Sequence, residues 1–393
     1  MSFTHATLWP LALILLLGPT NDSSAELRIG GQVRPRLEFR DPAAGGQDDS
    51  FTSMRVRAQL QTTLERDVSV FVQWQDVRLW GEETNTLGDF SADSFDLHQG
   101  YVDFGNVGGR SLSIRLGRQE ISLGGQRLVG AVGWTQQGRS FDGVRATATP
   151  GDNKIDLLAI RLADATAAGI ADNAYLAGLQ AQLAAARDLQ VYLLYNSAGA
   201  ATDQITLGLR QAGKAGKIAY RAEFAYQTGE RGGQDVAAHL IGLRAGTALG
   251  KTNLTLWYDR LSGDDDPADG ETKVFDTLFA TNHKFYGYAD YFLNIPVHTA
   301  GGGLQDLALK IAHPLRPGLS LNVDLHSFLL TEQGGLDSAH LGEEIDLTLK
   351  HKYSKETTCV AGLSYVLADD AFGAIGRLND DAKFAYAMIN VAF

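Results

Sequence analysis

The sequence predicts an all-β fold, a closed antiparallel transmembrane β-barrel of about eighteen strands. Apolar and polar side chains alternate along runs of about ten residues, as a strand requires when one face meets lipid and the other meets water. The last of these runs ends in an aromatic residue, Phe393. An apolar segment at the N-terminus has the features of a secretory signal.

The composition is compatible with a barrel and argues against several other classes. The chain has 393 residues, 44% hydrophobic and 20% charged, and beyond the N-terminal segment no stretch is long and apolar enough for a transmembrane helix. The net charge of -12 argues against nucleic-acid binding, which requires a clustered cationic surface. The single cysteine, Cys359, excludes an internal disulfide and a cysteine-based zinc site.

Residues 1–25 are predicted to be a cleaved signal peptide. An apolar core at positions 6–17 is followed by Gly18-Pro19 and by small residues up to Ala25, which suit signal cleavage before Glu26. The first five residues contain no Lys or Arg, so an N-terminal anchor helix is the alternative, although it is short for a span. Residues 26–393 are then expected to form a single barrel domain outside the cytoplasm.

Period-two alternation begins directly after this segment. Odd positions from 27 to 39 are apolar or glycine, whereas positions 28, 34, 36 and 40 are arginine. The pattern continues at 54–64 and 68–74, and it returns at 218–227, 306–311, 319–326 and 344–350. A soluble β-sandwich also alternates, but its strands usually span only about 5–6 residues. The alanine-rich stretch 162–189 also fits a helix, with strand alternation only near 175–182.

The C-terminal residues form an amphipathic strand closed by an aromatic side chain. Val391, Ile389 and Ala387 precede Phe393 at two-residue intervals, with Asn390 and Met388 on the other face. This pattern is the one that the outer-membrane assembly machinery recognises, although a buried last strand of a soluble sheet also alternates. The expected location is therefore the bacterial outer membrane, with lipid as a partner.

Arginines are concentrated on the predicted polar face of the first two strands. A closed barrel leaves no unpaired edge in hydrocarbon and turns its polar face inwards. The side chains then expected in the lumen include Arg34 and Arg36 on the first strand and Arg55 and Arg57 on the second. Two interpretations remain open: an anion-selective lumen, or a structural arginine ladder paired with Glu and Asp of neighbouring strands.

Two segments carry the most distinctive sequence. In residues 112–147, RLGRQEISLGGQRLVG is followed by GWTQQGRSFDGVR, and residues 261–292 read LSGDDDPADGETKVFDTLFATNHKFYGYADYF. Both resemble blocks of the alginate export family of outer-membrane channels, in the same order and across most of the mature chain. The resemblance implies an eighteen-stranded barrel with an electropositive constriction that passes an anionic uronate polysaccharide outwards.

The resemblance also implies candidate solute-facing residues. The first segment contributes arginines and acidic counterparts, namely Arg115, Arg118, Arg127, Arg139, Arg145, Glu120 and Asp142. The second contributes His283, Lys284, Tyr286, Tyr288 and Asp290, of which the two tyrosines are alternatively part of an aromatic girdle. Arg118 and Glu120 share parity with Leu116, so the strand must bend nearby. The chain is shorter than the channel that typifies the family, which leaves other acidic sugars or small organic acids open as substrates.

The predicted function is a channel for anionic saccharides or small acidic solutes. The alternative is a general, weakly selective porin, and an outer-membrane enzyme or adhesin is a third class. No catalytic motif of the hydrolase or phosphate-loop type occurs, so the chain is not expected to be an enzyme. Export of a polysaccharide would involve periplasmic partners.

No resident cofactor is expected. An acidic stretch at positions 264–271 suggests calcium, because hard cations are bound by several carboxylate oxygens. An EF-hand register starting at Asp265 places Pro267 where a ligand belongs, so a solvated surface loop is the alternative.

Overall fold

The computed structural model describes residues 26–42, 48–82, 95–169, 171–199 and 202–393, and the predicted signal peptide lies outside these ranges. The described residues form nineteen strands. The strands are β1 (Leu27–Asp41), β2 (Asp49–Thr63), β3 (Val68–Leu79), β4 (Phe95–Phe104), β5 (Leu112–Gln119), β6 (Phe141–Ala148), β7 (Lys154–Ala163), β8 (Ala174–Leu183), β9 (Leu189–Ala198), β10 (Thr202–Ala215), β11 (Ile218–Arg231), β12 (Gln234–Leu249), β13 (Thr252–Leu261), β14 (Glu271–Thr272), β15 (Leu304–Arg316), β16 (Leu319–Leu329), β17 (His340–Lys352), β18 (Thr357–Ala368) and β19 (Ala382–Ala392).

Eighteen of these strands close into one antiparallel barrel. β1–β13 and β15–β19 pair with their neighbours in chain order, and β1 pairs with β19 to close the ring. At the seam Gln32 lies opposite Ala392 and Asp41 lies opposite Lys383. The two-residue β14 is separate from the wall and pairs parallel with one end of β12. The predicted eighteen-stranded barrel is confirmed.

The side chains of the wall are arranged as the alternation predicts. On β1, Leu37 is 50% exposed on the outer face, whereas the next residue, Glu38, is 2% exposed inside the barrel. Leu256 and Asp259 show the same contrast on β13, at 52% and 0%. The outer surface is therefore apolar and the interior polar, which is the arrangement that a strand between lipid and a lumen requires.

The alanine-rich stretch forms strand rather than a long helix. β7 is followed by the single turn α1 (Ala165–Ala168), which Asp164 caps through the amides of Thr166 and Ala167, and then by β8. The other helices of the described chain are α2 (Ile295–His298), α3 (Asp370–Ala374) and three 3-10 turns at Val107–Gly109, Ala184–Ala186 and Asn282–Lys284. Among these, no helix has the length and apolar character needed to cross a membrane.

The two ends of the barrel differ. Short turns, such as residues 216–217 and 250–251, join strands at the end where β1 begins and β19 ends. The opposite end carries the long connections, which in outer-membrane barrels is the extracellular side. Two connections there pack inside the barrel: residues 120–140, the first inward loop, and residues 262–303, the second inward loop.

Candidate functional site

The two inward loops form the apolar core of the molecule inside the barrel. Ile121 and Val129 of the first inward loop and Phe275, Phe285 and Tyr286 of the second are at most 1% exposed. These side chains pack with inward residues of the wall in one continuous cluster. Burial of this apolar surface fixes the loops in the lumen, so they narrow the path through the barrel.

Backbone hydrogen bonds join the two loops to each other. Val129 and Phe279 form a parallel bridge, with the Gly130 amide donating to the Phe279 carbonyl at 2.8 Å and the Phe279 amide to the Leu128 carbonyl at 2.8 Å. The Arg139 guanidinium also donates to the Phe279 carbonyl. Arg139, a predicted solute-facing residue, therefore stabilises the loop pair.

The predicted lumen arginines of β1 hold the first inward loop. Arg34 donates through Nη1 to the Gly133 carbonyl at 2.7 Å and through Nη2 to the Thr135 carbonyl at 2.7 Å. Arg36 donates to the Trp134 carbonyl at 2.7 Å and pairs with Glu38 at 2.7 Å. Arg34 and Arg36 are each 5% exposed, so their charges are turned towards the loop.

The two arginines of β2 contact the same loop. Arg55 donates to the Gln136 carbonyl at 3.1 Å and is 3% exposed. Arg57 donates to Gln75 of β3 at 2.8 Å and pairs with Glu120 of the first inward loop at 3.2 Å. A loop without a strand partner has free carbonyls, and a guanidinium with five N–H donors satisfies several of them. The four predicted lumen arginines, Arg34, Arg36, Arg55 and Arg57, are therefore brought together, but around a loop.

Carboxylates on β17, which two strands separate from β1 in the ring, hold the second inward loop. Glu344 accepts a hydrogen bond from the Ala289 amide at 2.7 Å, and Asp346 accepts one from the Tyr288 amide at 3.3 Å. Within the same loop His283 bonds Asp290 at 2.6 Å. The wall therefore offers donors to the carbonyls of one loop and acceptors to the amides of the other.

Aromatic rings connect the loops where these contacts converge. Trp134 of the first inward loop stacks on His283 of the second, with ring centroids 4.0 Å apart and planes 8° apart. Tyr288 stacks on the His283 ring at 5.0 Å. Tyr286 is buried and accepts from Arg127 at 2.8 Å. Both tyrosines lie inside the barrel, so the alternative that they belong to a membrane girdle is wrong.

Arg127 links the first inward loop to the wall. Its Nη1 lies 2.8 Å from Asp259 of β13, which also pairs with Arg244 of β12 at 2.7 Å. Its guanidinium carbon lies 4.1 Å from the Phe285 ring centroid. Arg127 and Asp259 are almost fully buried, so this predicted lining residue forms a structural ion pair.

The remaining predicted residues divide between lumen and outer surface. Arg115 pairs with Asp103 at 2.7 Å and Arg145 with Asp156 at 2.8 Å, both on the inward parity. Arg118 and Asp142 lie opposite each other on the parity of the exposed Leu116 and form an ion pair at 2.7 Å, and Arg118 also borders a cavity lined by His98 of β4 and Gln137 of the first inward loop. The positive φ of 131° at Gly117 shows where β5 is distorted.

A basic cluster that the sequence analysis missed faces the lumen on β10 and β11. It consists of Arg210, Arg221 and the predicted Lys284 of the second inward loop, which lie close enough to repel one another and Arg127 electrostatically. Glu223 is 3.9 Å from Arg210. Within the described ranges, Arg221 and Lys284 form no ion pair. The sequence does show an inward arginine on each of these two strands. Whether the two arginines lie close together depends on the register between the strands, which the sequence does not reveal.

The acidic stretch lies in the second inward loop. Its carboxylates cap local turns, with Asp264 accepting from the Asp266 amide and Asp269 from the Glu271 amide. Lys273 bonds Asp265, and this hydrogen bond lowers the pKa of the Asp265 carboxyl below its ordinary value. An ammonium group is therefore already placed among the candidate calcium ligands.

The closed barrel, its apolar outer surface and its loop-narrowed polar interior define an outer-membrane channel, a transport protein. The chain belongs to the alginate export family, whose sequence profile matches residues 25–384. The bacterial outer membrane is its location. No curated protein matches the sequence.

Solved structures of porins share the fold. OccK11 (OpdR) of Pseudomonas aeruginosa superposes with a TM-score of 0.64 at 15% identity, covering 93% of this chain and 96% of that one. For OccAB1 of Acinetobacter baumannii the TM-score is 0.65 at 14% identity, with 93% and 96% covered. For a BenF-like porin from Pseudomonas fluorescens Pf-5 it is 0.61 at 12% identity, with 94% and 98% covered. At these identities the similarity concerns the fold alone.

Proposed function

We propose that the channel passes anionic solutes, with acidic saccharides of the uronate class as the substrate. The observation that carries this proposal is the basic cluster of Arg210, Arg221 and Lys284. Two of its three cations have no carboxylate partner among the described residues, so their charge is available to a solute. A guanidinium presents forked donors to a carboxylate, and a narrow lumen brings the solute within reach of them.

The substrate class rests on the family and on this cluster together. The family is defined by alginate export, and alginate is a polyanion of uronate units. A repeating carboxylate suits a lumen in which Arg210, Arg221 and Lys284 lie close to one another. Export of a polymer requires periplasmic partners that deliver the chain to the lumen, whereas passage of single acidic sugars or small organic acids does not.

Ion selectivity in planar lipid bilayers tests the proposal. The wild-type channel is expected to prefer chloride over potassium, measured as a reversal potential across a salt gradient. Replacing both Arg221→Ala and Lys284→Ala should lower the anion-to-cation permeability ratio about fivefold or more, because a unit charge at 4 Å contributes about 1 kcal/mol even in water. Cation preference in the wild-type channel would contradict the proposal.

Arg161→Ala is the matched control for the single substitution Arg221→Ala. It also removes one arginine, but from the outer parity of β7, where Arg161 shares the parity of the exposed Leu157 and pairs with Asp164. The reversal potential of this variant should equal that of the wild type. If Arg161→Ala reduces selectivity as much as Arg221→Ala, the effect comes from net charge and the lumen cluster is not the selectivity element.

A weakly selective porin is the second candidate function. It is favoured by Arg34, Arg36 and Arg55, whose donors are directed at backbone or side-chain oxygens of the protein. These arginines brace the loop as the ladder interpretation expects, although they do so mainly through carbonyls. Liposome swelling separates the candidates, since a weakly selective porin admits glucose and glucuronate at similar rates and an anion channel favours glucuronate.

A further inference from the structure

A histidine and two carboxylates converge inside the barrel wall, away from the basic cluster. Asp324 and His326 are two residues apart on the inward face of β16, and Asp346 lies directly opposite Asp324 on β17. One potential ligand atom from each residue lies within 4.8 Å of the others. The antiparallel ladder fixes this spacing, because all three residues belong to regular strands.

Neighbouring groups orient the imidazole and the carboxylates. His326 Nδ1 lies 2.9 Å from an oxygen of Asp306, so Nδ1 carries the proton and the Nε2 lone pair is an acceptor, which Lys310 contacts. The Ser364 hydroxyl donates to Asp346. Metal-binding histidines usually bond a carboxylate through their second nitrogen in this way, which sets the tautomer and the ring orientation.

Buried carboxylates outnumber the basic groups around Asp324, His326 and Asp346. Asp306, Asp324, Glu344 and Asp346 are all buried, and one oxygen each of Asp306 and Glu344 has no hydrogen-bond partner. Among the described residues, one lysine or arginine pairs with these carboxylates. It is Lys310, whose Nζ lies 2.7 Å from Asp324. Buried carboxylates are costly unless they are paired or bind a cation, so the cluster favours additional positive charge.

We propose that Asp324, His326 and Asp346 bind a divalent first-row transition-metal ion, of which Zn²⁺ is the representative probe. One imidazole nitrogen and two carboxylate oxygens form a ligand set suited to such an ion, and the imidazole disfavours Ca²⁺ and Mg²⁺. The site is independent of the solute that the channel passes.

Lys310 competes with the metal ion for this site. Its Nζ lies 2.7 Å from Asp324 and 3.3 Å from His326 Nε2, so the ammonium occupies the position where the lone pairs converge. The same ammonium already lies within cation–π range of two rings, 4.6 Å from the Trp257 centroid and 5.8 Å from that of Tyr288, and these rings can hold it when a metal ion takes its place beside Asp324. Metal binding then displaces Lys310 towards these rings.

The site also connects the metal to the second inward loop. Asp346 accepts from the Tyr288 amide and Glu344 from the Ala289 amide, so the strand that provides one ligand also holds the loop. A metal ion bound to β16 and β17 therefore stabilises the wall against which this loop packs.

Calorimetric titration of Zn²⁺ into the detergent-solubilised chain, in chelator-free buffer, tests the proposal. One ion should bind per chain. His326→Ala and Asp346→Asn should each weaken binding at least about tenfold, since even second-sphere changes at metal sites cost that much. Lys310→Met should strengthen binding, because it removes the competing ammonium and keeps the side-chain volume. Zinc-edge X-ray absorption should show one imidazole nitrogen and otherwise oxygen ligands.

His340→Ala is the matched control. His340 also lies between two carboxylates, Glu343 at 2.9 Å and Asp369 at 2.9 Å, but it is partly exposed at the loop end of the barrel. This variant should bind Zn²⁺ as the wild type does. Absence of Zn²⁺ uptake, loss of uptake in His340→Ala but not in His326→Ala, or weaker binding in Lys310→Met would overturn the proposal. Because Lys310→Met is expected to gain affinity, a folding defect cannot imitate that result.

Discussion

The guanidinium of Arg34 on β1 donates to the backbone carbonyl of Thr135 at 2.7 Å, joining residues that are 101 positions apart in the chain. A strand residue that faces the lumen therefore acts as an anchor for a loop that enters the lumen from one end. Alternation predicts the Arg34 guanidinium in the channel interior, and there it donates to loop carbonyls that have no strand partner. The anion selectivity that we propose must then come from other cations.

Removal of the Arg34 anchor should loosen the first inward loop. Arg34→Met leaves the carbonyls of Gly133 and Thr135 without their charged donor, and hydrogen bonds to charged groups contribute about 1.5–3 kcal/mol each. We expect the free energy of unfolding in urea to fall by about 3 kcal/mol and single-channel conductance to rise. Arg28→Met, which removes an exposed arginine paired with Glu26, should change neither quantity. Equal conductance in both variants would show that Arg34 does not restrain the loop.

Neutralising Asp259 should destabilise the loops more than neutralising a carboxylate at the lumen surface. Asp259→Asn leaves Arg127 and Arg244 buried without their shared counter-ion, and breaking a buried pair costs about 3–5 kcal/mol. Arg127 keeps its contacts with Glu223 and Tyr286, but the loosened loop should make it more accessible to trypsin in the folded barrel. The control, Asp103→Asn, disrupts a partly exposed pair with Arg115 and should cost at most about 1 kcal/mol. Urea unfolding and mapping of tryptic fragments measure both effects, and similar losses in the two variants would contradict the prediction.

An added side chain at Gly287 should push the Glu344 carboxylate out of place, because the second inward loop lies directly against β17 there. Its φ is 82°, and an added Cβ would lie 2.2 Å from Glu344 Oε2. Gly233, in the turn between β11 and β12, has the same φ of 82° but open space around it. Left-handed strain of about 1–2 kcal/mol is common to both alanine variants, so the difference between them reports the steric contact alone. Gly287→Ala should lower the free energy of unfolding by at least about 1 kcal/mol more than Gly233→Ala.

The sequence predicts the wall well because the wall obeys one local rule. Leu37 and Glu38 differ in burial as parity requires, and the terminal Phe393 follows a regular last strand. The alanine-rich stretch was ambiguous because alanine suits a helix by propensity, and the barrel overrides that preference. The resemblance implies a solute-facing Arg118, whereas its parity, shared with Leu116, pairs it with Asp142 on the outer parity of β5.

The site was only partly predictable because it depends on contacts between distant segments. Nothing local indicates that Arg34 meets Thr135 or that Arg127 meets Asp259, since loops inside a lumen have no period. Arg221 lies directly opposite Arg244 in the sheet, but this proximity requires the register between β11 and β12. Sequence patterns therefore identified Lys284 as a candidate but not the arginines beside it.

Closure of the seam between β1 and β19 should be the folding step that is most sensitive to an added side-chain atom. The Gly31 amide donates to the Phe393 carbonyl at 2.8 Å, and the Phe393 amide donates to the Gly31 carbonyl at 3.0 Å. A Cβ on Gly31 would lie 2.9 Å from the Arg57 carbonyl oxygen, a backbone atom that cannot turn away, and 2.8 Å from the Phe393 ring. Closing this pair joins the two ends of the barrel sequence, and such non-local contacts form slowly because loop-closure entropy opposes them.

Gly31→Ala should therefore slow barrel closure. The rate of folding into lipid vesicles, followed by the shift in gel mobility of the unheated protein, should fall several-fold relative to the wild type. Gly335→Ala is the control, because a Cβ there meets no atom within 4 Å and the residue lies in the connection between β16 and β17. If Gly31→Ala folds at the rate of Gly335→Ala, the seam accommodates the methyl group by a small shift of strands. The close approach of Gly31 to Arg57 would then not limit closure.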